Sequence, residues 1–325
     1  MDWIKNSLII VVVTLTLIGA LEIAARVYIY MNYGTGSAGL PERTTYLKYT
    51  AFTMWGKDLD RIAQDYTEKV SNDDFRILVI GGSTGQGFSD VLIKETFEKD
   101  DRISNVSVFN SASGGFNIRQ EAIALMMTAN KIKPNLILAL DGANDMMHAI
   151  RPGVKPGTTY VDRSFTQILH KPYLGPIIYA LQNSQLYNGM LRLFSRQNFD
   201  ADKAAEAIGP AKAIYLQTRD FINEFAKGAD IPIVFMLQPH VGFSQSPADK
   251  ESKDKFLYRE DIIVESFKDI TRQSNEGLCF VDSNKRLYDE KLNLEFSDDV
   301  HFKNAVGYQY LASLYYKKYK ECYGK

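Results

Sequence analysis

A serine among glycines, a later glycine pair, an asparagine and a terminal Asp-x-x-His are the residues of this 325-residue chain best suited to chemistry. The serine lies in Gly81-Gly82-Ser83-Thr84-Gly85-Gln86-Gly87, where glycine lets the backbone turn tightly and project Ser83, its own amide near the start of a following helix. A purely structural strand-to-helix turn fits the same residues. A phosphate cradle fits less well. The spacing from Gly82 to Gly87 is that of a P-loop, but the next residues are Phe88 and Ser89, so the phosphate-holding lysine is missing. In Asn110-Ser111-Ala112-Ser113-Gly114-Gly115-Phe116-Asn117 the glycines either make a turn or bring a backbone amide close to an oxyanion. Asn144, in Asp141-Gly142-Ala143-Asn144-Asp145, offers a side-chain amide for the same purpose, although Asn-Asp in a loop also makes local turn bonds. Near the C-terminus comes Asp298-Asp299-Val300-His301. A lone histidine at a helix start is most often structural. Asp298, three residues before it, can bond one imidazole nitrogen, fix the tautomer and leave the other nitrogen to take a proton from a serine. Asp299 is the near alternative.

These blocks need a scaffold that brings them to one place, and the apolar pattern supplies it. Arg76–Gly81, Val106–Asn110, Leu136–Asp141, Ile231–Leu237 and Leu278–Asp282 are short apolar runs of the kind found in strands covered on both faces. Helical patterns at Ile118–Ile132, Asp202–Phe225, Asp254–Gln273 and Ala305–Tyr319 separate them. Alternation of this kind predicts an α/β fold, a doubly wound parallel five-stranded sheet. In such a sheet ligands bind outside the carboxyl ends of the strands. Three of the four blocks directly follow a strand run, and the fourth precedes the last helix. About ninety residues separate the third and fourth strands, so a helical insertion at about 155–200 is expected.

Taken together, the four blocks resemble the SGNH subgroup of the GDSL hydrolases across roughly residues 75 to 315. On that resemblance Ser83 is the nucleophile, Asp298 and His301 complete the triad, and the amides of Ser83 and Gly115 with the Asn144 side chain form the oxyanion hole. The chain departs from the pattern with GGST in place of GDS, and with Ala112 where many relatives carry glycine. The GGST form is similar to membrane-anchored bacterial members of the family. The resemblance implies a flavodoxin-like SGNH hydrolase fold and acyl transfer through a covalent ester on Ser83, with no metal or organic cofactor. Water would resolve the ester in an esterase, and a sugar hydroxyl would do so in an O-acyltransferase working with a membrane acyl-donor protein. A catalytically silent carbohydrate-binding scaffold is the alternative of a different class. O-acetylated cell-surface carbohydrate is the substrate class that anchored relatives suggest. His240, in Gln238-Pro239-His240 after strand four, faces the same crevice and either lines the substrate pocket or belongs to a turn. His148 and His170 have weaker claims.

Composition narrows the partners. With 38 Lys and Arg against 39 Asp and Glu, the net charge is −1, which argues against a nucleic-acid partner. The 19 Tyr and 18 Phe argue against disorder. Cys279 and Cys322 are too few for a disulfide framework and are expected as buried thiols. Sixteen uncharged residues lie between Lys5 and Glu22, and the apolar character resumes to Met31. Residues 1–31 are therefore expected to be a transmembrane anchor, with a cleaved secretory signal as the rival reading. Glu22 and Arg26 share a helix face and can pair. Residues 32–70 read as a linker and 71–325 as the hydrolase domain. The large C-terminal part is expected on the periplasmic or extracellular side.

Overall fold

The structure, a computed structural model, describes residues 2–33, 57–150, 184, 201–244, 250–274, 277–289, 294–298 and 300–324. His170, Asp299 and all of the expected insertion except Ser184 lie outside these residues. The chain divides into two compact units, Met1–Leu47 with Val161–Phe199, and Lys48–Tyr160 with Asp200–Lys325.

In the second unit five strands form one parallel sheet: β1 (Phe75–Gly81), β2 (Val106–Asn110), β3 (Leu136–Asp141), β4 (Ile233–Leu237) and β5 (Phe280–Asp282). Their order is β2-β1-β3-β4-β5, the flavodoxin-like arrangement. The parallel registers Ile77↔Val108, Ile77↔Leu136, Ile137↔Ile233 and Met236↔Val281 align all five carboxyl ends on one edge. Every residue of β3 and β4 is buried, as both-face coverage requires. One face carries Ile77, Val79, Leu138, Leu140, Val234 and Met236, packed with Phe88, Phe97 and Tyr315. Each such apolar side chain contributes about 1.5–3 kcal/mol of burial free energy.

The helices of this unit are α2 (Leu59–Thr67), α3 (Ser83–Gln86), α4 (Asp90–Phe97), α5 (Ile118–Ile132), α6 (Ala143–Ala149), α7 (Ala201–Gly228), α8 (Lys250–Ser274), α9 (Ser283–Asp289) and α10 (Ala305–Tyr323). Helix α10 packs on α4, β4 and β5, while α7 packs on α5, α6 and α8. Tyr315 pins α10 to the sheet centre by donating to the Ala139 carbonyl at 2.6 Å. Helix α5 begins where the sequence reading placed it because Asn117 and Gln120 form a reciprocal capping box.

Two expectations need correction. Residues 32–70 are not linker throughout, since α2 lies within them. Its Leu59 is buried against Phe116 and Ala124, and Leu59, Ile62, Ala63 and Tyr66 have the i, i+3, i+4, i+7 spacing of a helix face. Cys279 and Cys322 are joined in a disulfide, with Cα atoms 6.1 Å apart. They stand 43 positions apart, and the packing of α10 across β5 brings them together.

In the first unit α1 runs from Asp2 to Tyr33, about 48 Å at 1.5 Å per residue. Arg26 Nε lies 2.9 Å from Glu22 Oε1, the pairing expected at i, i+4, and Ser184 Oγ donates to Glu22 Oε2 at 2.8 Å. Ile10, Val13, Leu17 and Leu21 are among its exposed apolar side chains. Counted over the described residues alone, no helix is long and apolar enough to cross a membrane.

Candidate active site

The chemistry-bearing blocks meet at the carboxyl edge of the sheet. β1 ends at Gly81, and Gly82 is the N-cap of α3, so Ser83 is the first helical residue. Its amide therefore has no partner within the helix and can serve an incoming oxyanion. Ser83 is half-buried, whereas Thr84 and Gly85 behind it are fully buried. The loop after β2 faces it. A Cβ placed on Gly114 would lie 4.0 Å from Ser83 Cβ and 3.2 Å from Gln86 Oε1.

Gly115 has φ +79°, a conformation that favours glycine and sets the direction of its amide. His148 Nε2 lies 3.1 Å from the Gly115 carbonyl. Asn144 sits in the first turn of α6, and its Nδ2 donates to Phe116 O at 2.8 Å, which leaves the second N–H for another acceptor. This amide is so close to the serine turn that a Cβ on Gly82 would lie 2.3 Å from Nδ2. The space a side chain at position 82 would need is thus held by Asn144.

Asp298 and His301 are brought together as the spacing predicts. Asp298 Oδ1 and Oδ2 lie 2.9 and 2.7 Å from His301 Nδ1. The Val300 and His301 amides also donate to Oδ1, at 2.9 and 2.8 Å. Partial burial would raise the Asp298 carboxyl, but the His301 ring and these amide bonds outweigh it and hold Asp298 below the ordinary carboxylate range. With Nδ1 donating to the carboxylate, Nε2 is the nitrogen left to accept a proton. Among the described residues no hydrogen bond joins Ser83 Oγ to His301, a contact that commonly tightens only when substrate binds.

What holds the histidine loop against α3 is a set of residues that sequence reasoning did not single out. Thr84 Oγ1 donates to Val300 O at 3.2 Å, and Gln238 Nε2 donates to Thr84 Oγ1. Asn284, from α9, donates to Gln238 O at 2.9 Å and accepts the His240 amide at 2.7 Å. The ends of β1, β4 and β5 are thereby latched to the loop before α10. The adjacency of Thr84 to Ser83 and the Gln-Pro-His run after β4 were the available signals.

His240 takes the turn arrangement. It is 2% exposed, its Nδ1 accepts from the Gly242 amide at 3.1 Å, and its ring packs edge-on against Phe267. Burial lowers its pKa to about 4, against the opposing pull of the Asp298 carboxylate. Its ring is therefore buried in the turn after β4, close enough to Asp298 to feel its charge.

Under the oxyanion side lies a buried acidic group. Tyr215 donates to Asp141 Oδ1 at 2.5 Å, and Asp145 accepts the Ile118 amide at 3.2 Å. Both Glu121 oxygens are buried with no hydrogen-bond partner among the described residues. Burial, followed by the Asp141 and Asp145 charges, raises Glu121 well above the usual range.

No family model matches the chain, and no curated protein matches it. Among solved structures it is similar to a putative acylhydrolase from Bacteroides fragilis, with 15% identity, 82% of this chain and 97% of that one covered, and a TM-score of 0.41. A GDSL-like lipase from Bacteroides thetaiotaomicron matches at 13% identity over 82% and 98%, with a TM-score of 0.40. A catalytic mutant of an acetylxylan esterase from Geobacillus stearothermophilus matches at 13% over 77% and 95%, with a TM-score of 0.39.

Proposed function

We propose that the chain is a serine esterase that removes acetyl groups from cell-surface carbohydrate through an acyl-enzyme on Ser83. The observation that carries this reading is the Asp298–His301 pair, bonded at 2.7 Å and tied through Val300 to Thr84, the neighbour of the serine. His301 Nε2 takes the Ser83 proton as Oγ attacks the acyl carbon, and Asp298 stabilises the imidazolium that results. The Ser83 and Gly115 amides and the Asn144 side chain receive the developing oxyanion. His301 then returns the proton to the leaving alcohol. Water, activated by the same nitrogen, frees the acid and restores the serine.

The esterase is further proposed to be anchored by α1 with its catalytic part outside the cytoplasm. The sequence from Asn6 to Leu21 is uncharged throughout. With the apolar continuation to Met31, that stretch is long enough for the roughly 20 residues of a span. The exposed apolar side chains of α1 and the Cys279–Cys322 disulfide, a bond that persists in oxidising compartments, both support this placement.

The test is hydrolysis of 4-nitrophenyl acetate by the full chain in detergent, compared with Ser83→Ala. Activity that Ser83→Ala abolishes is expected, and equal rates for the two proteins would sink the serine mechanism. Weighing the products made from an acetyl ester with and without an oligosaccharide acceptor distinguishes hydrolysis from transfer. Free acetate without acetylated sugar is the result expected of an esterase.

A further inference from the structure

Directly behind the nucleophile turn lies a cleft of about 620 Å³, bounded by α2, the carboxyl end of β2 and the turn from α3 to α4. This is within the roughly 300–1,000 Å³ of small-ligand sites. Gln86 belongs to both places. It lines the cleft, and its Oε1 lies beside Gly114, opposite Ser83. Ser83 and Gln86 are the first and last residues of α3, about 5 Å apart along the helix axis. A substituent on an ester held at Ser83 is therefore within one helical turn of the cleft.

The wall between them is fixed. Asn110 Nδ2 donates to the carbonyls of Gly85 and Phe88 at 2.9 and 3.2 Å, and its Oδ1 accepts the Ala112 amide at 3.0 Å. One side chain thus ties the serine turn to the glycine loop and forms part of the cleft surface.

The chemistry of the lining selects the ligand. Lys57 and Lys69 line the cleft together with Asp65 and Asp90, so the formal charges cancel and neither an anion nor a cation is favoured. Half-buried Lys57 donates to Asn110 O at 2.9 Å, its one hydrogen bond among the described residues, and two of its three N–H groups remain for a ligand. The Asp90 carboxylate is near enough to act on Lys57 electrostatically, yet no ion pair joins the two among the described residues. A hydroxyl is the group that answers both, since it accepts from an ammonium and donates to a carboxylate. Tyr66, packed edge-on against Phe109 at 5.3 Å, adds an aromatic wall for the apolar face of a ring.

We infer that this cleft binds the neutral sugar bearing the acyl ester, with Lys57 and Asp90 engaging its hydroxyls. The inference rests on the proposed esterase reading and adds the site and the charge class of the sugar.

The experiment uses the full chain in detergent with Lys57→Met and Asp90→Asn, each first shown to unfold at the wild-type temperature. Three substrates are compared: acetylated xylotetraose, acetylated oligogalacturonate and 4-nitrophenyl acetate, which has no sugar. Each variant is expected to raise KM for acetylated xylotetraose about tenfold and to leave kcat/KM for nitrophenyl acetate within about twofold. An equal loss on both substrates, no loss on either, or a wild-type preference for the acidic oligosaccharide would overturn the cleft assignment. Calorimetric binding of xylotetraose to Ser83→Ala, lost on adding Lys57→Met, reads the cleft independently of catalysis. If that binding persists while no protein hydrolyses an ester, the esterase reading fails and the sugar site stands. If Ser83-dependent hydrolysis occurs but Ser83→Ala binds no xylotetraose, the site fails alone.

Discussion

Replacing Gly82 by alanine places a methyl carbon 2.3 Å from Asn144 Nδ2, about 1 Å short of an ordinary contact. The Phe116 carbonyl, 3.2 Å from the same point, closes off a second direction, and it is also the acceptor that fixes the amide at 2.8 Å. Asn144 must give up that bond or the serine turn must move. Either way its N–H leaves the oxyanion position. Loss of one such donor costs about 10²- to 10³-fold in kcat, or about 3–4 kcal/mol, and the crowding itself costs about 1–3 kcal/mol of stability. The assay is burst-phase and steady-state hydrolysis of 4-nitrophenyl acetate for Gly82→Ala, Asn144→Ala and the double variant, with urea unfolding in parallel. If Gly82→Ala acts through Asn144, the double variant falls within about threefold of Asn144→Ala. Fully multiplicative losses, or a Gly82→Ala enzyme with unchanged kcat, would refute the reasoning.

Four further outcomes follow from the same geometry. Asp298→Asn is expected to lower kcat by about 10²- to 10⁴-fold with little change in KM, because the His301 tautomer is no longer fixed; an unchanged kcat removes Asp298 from the triad. His240 is buried in its neutral form, so it stabilises the fold fully above its ordinary pKa of about 6.5, and that contribution is lost as pH falls toward about 4. Urea titrations should show about 3 kcal/mol of stability lost across this window in the wild type and not in His240→Asn, and parallel slopes would refute it. Glu121 has the opposite sense: its folded pKa is raised, so stability present below the usual carboxylate range is lost as pH rises through the raised value. Glu121→Gln should unfold like the wild type in acid and resist alkaline pH better; thermal melts from pH 5 to 9 check this. Cys322→Ser opens a loop of 43 residues and should cost about 4 kcal/mol by chain entropy, read from the urea midpoint before and after reduction.

Much of the scaffold was legible because its signals are local. The runs at Val106–Asn110 and Leu136–Asp141 are the observed strands, and the Asn117–Gln120 cap starts α5 where the apolar period begins. The Asp298–His301 contact and the Glu22–Arg26 pair were legible for the same reason. Three or four residues of separation leave the chain little freedom to keep such groups apart.

The α2 helix shows the limit. Its apolar face was present in the sequence, but nine residues give a weak periodic signal, and the burial that stabilises it comes from Phe116 and Ala124, far along the chain. The strands, the order of the four blocks and the local acid–histidine pair could be read from the chain alone. It took the packed fold to establish that Thr84 meets Val300 across 216 positions, that Asn144 occupies the space beside Gly82, that the cysteines join and that α2 closes a cleft behind the serine. Contacts of that range depend on sheet order and helix packing, which many sequences can satisfy and no local spacing encodes.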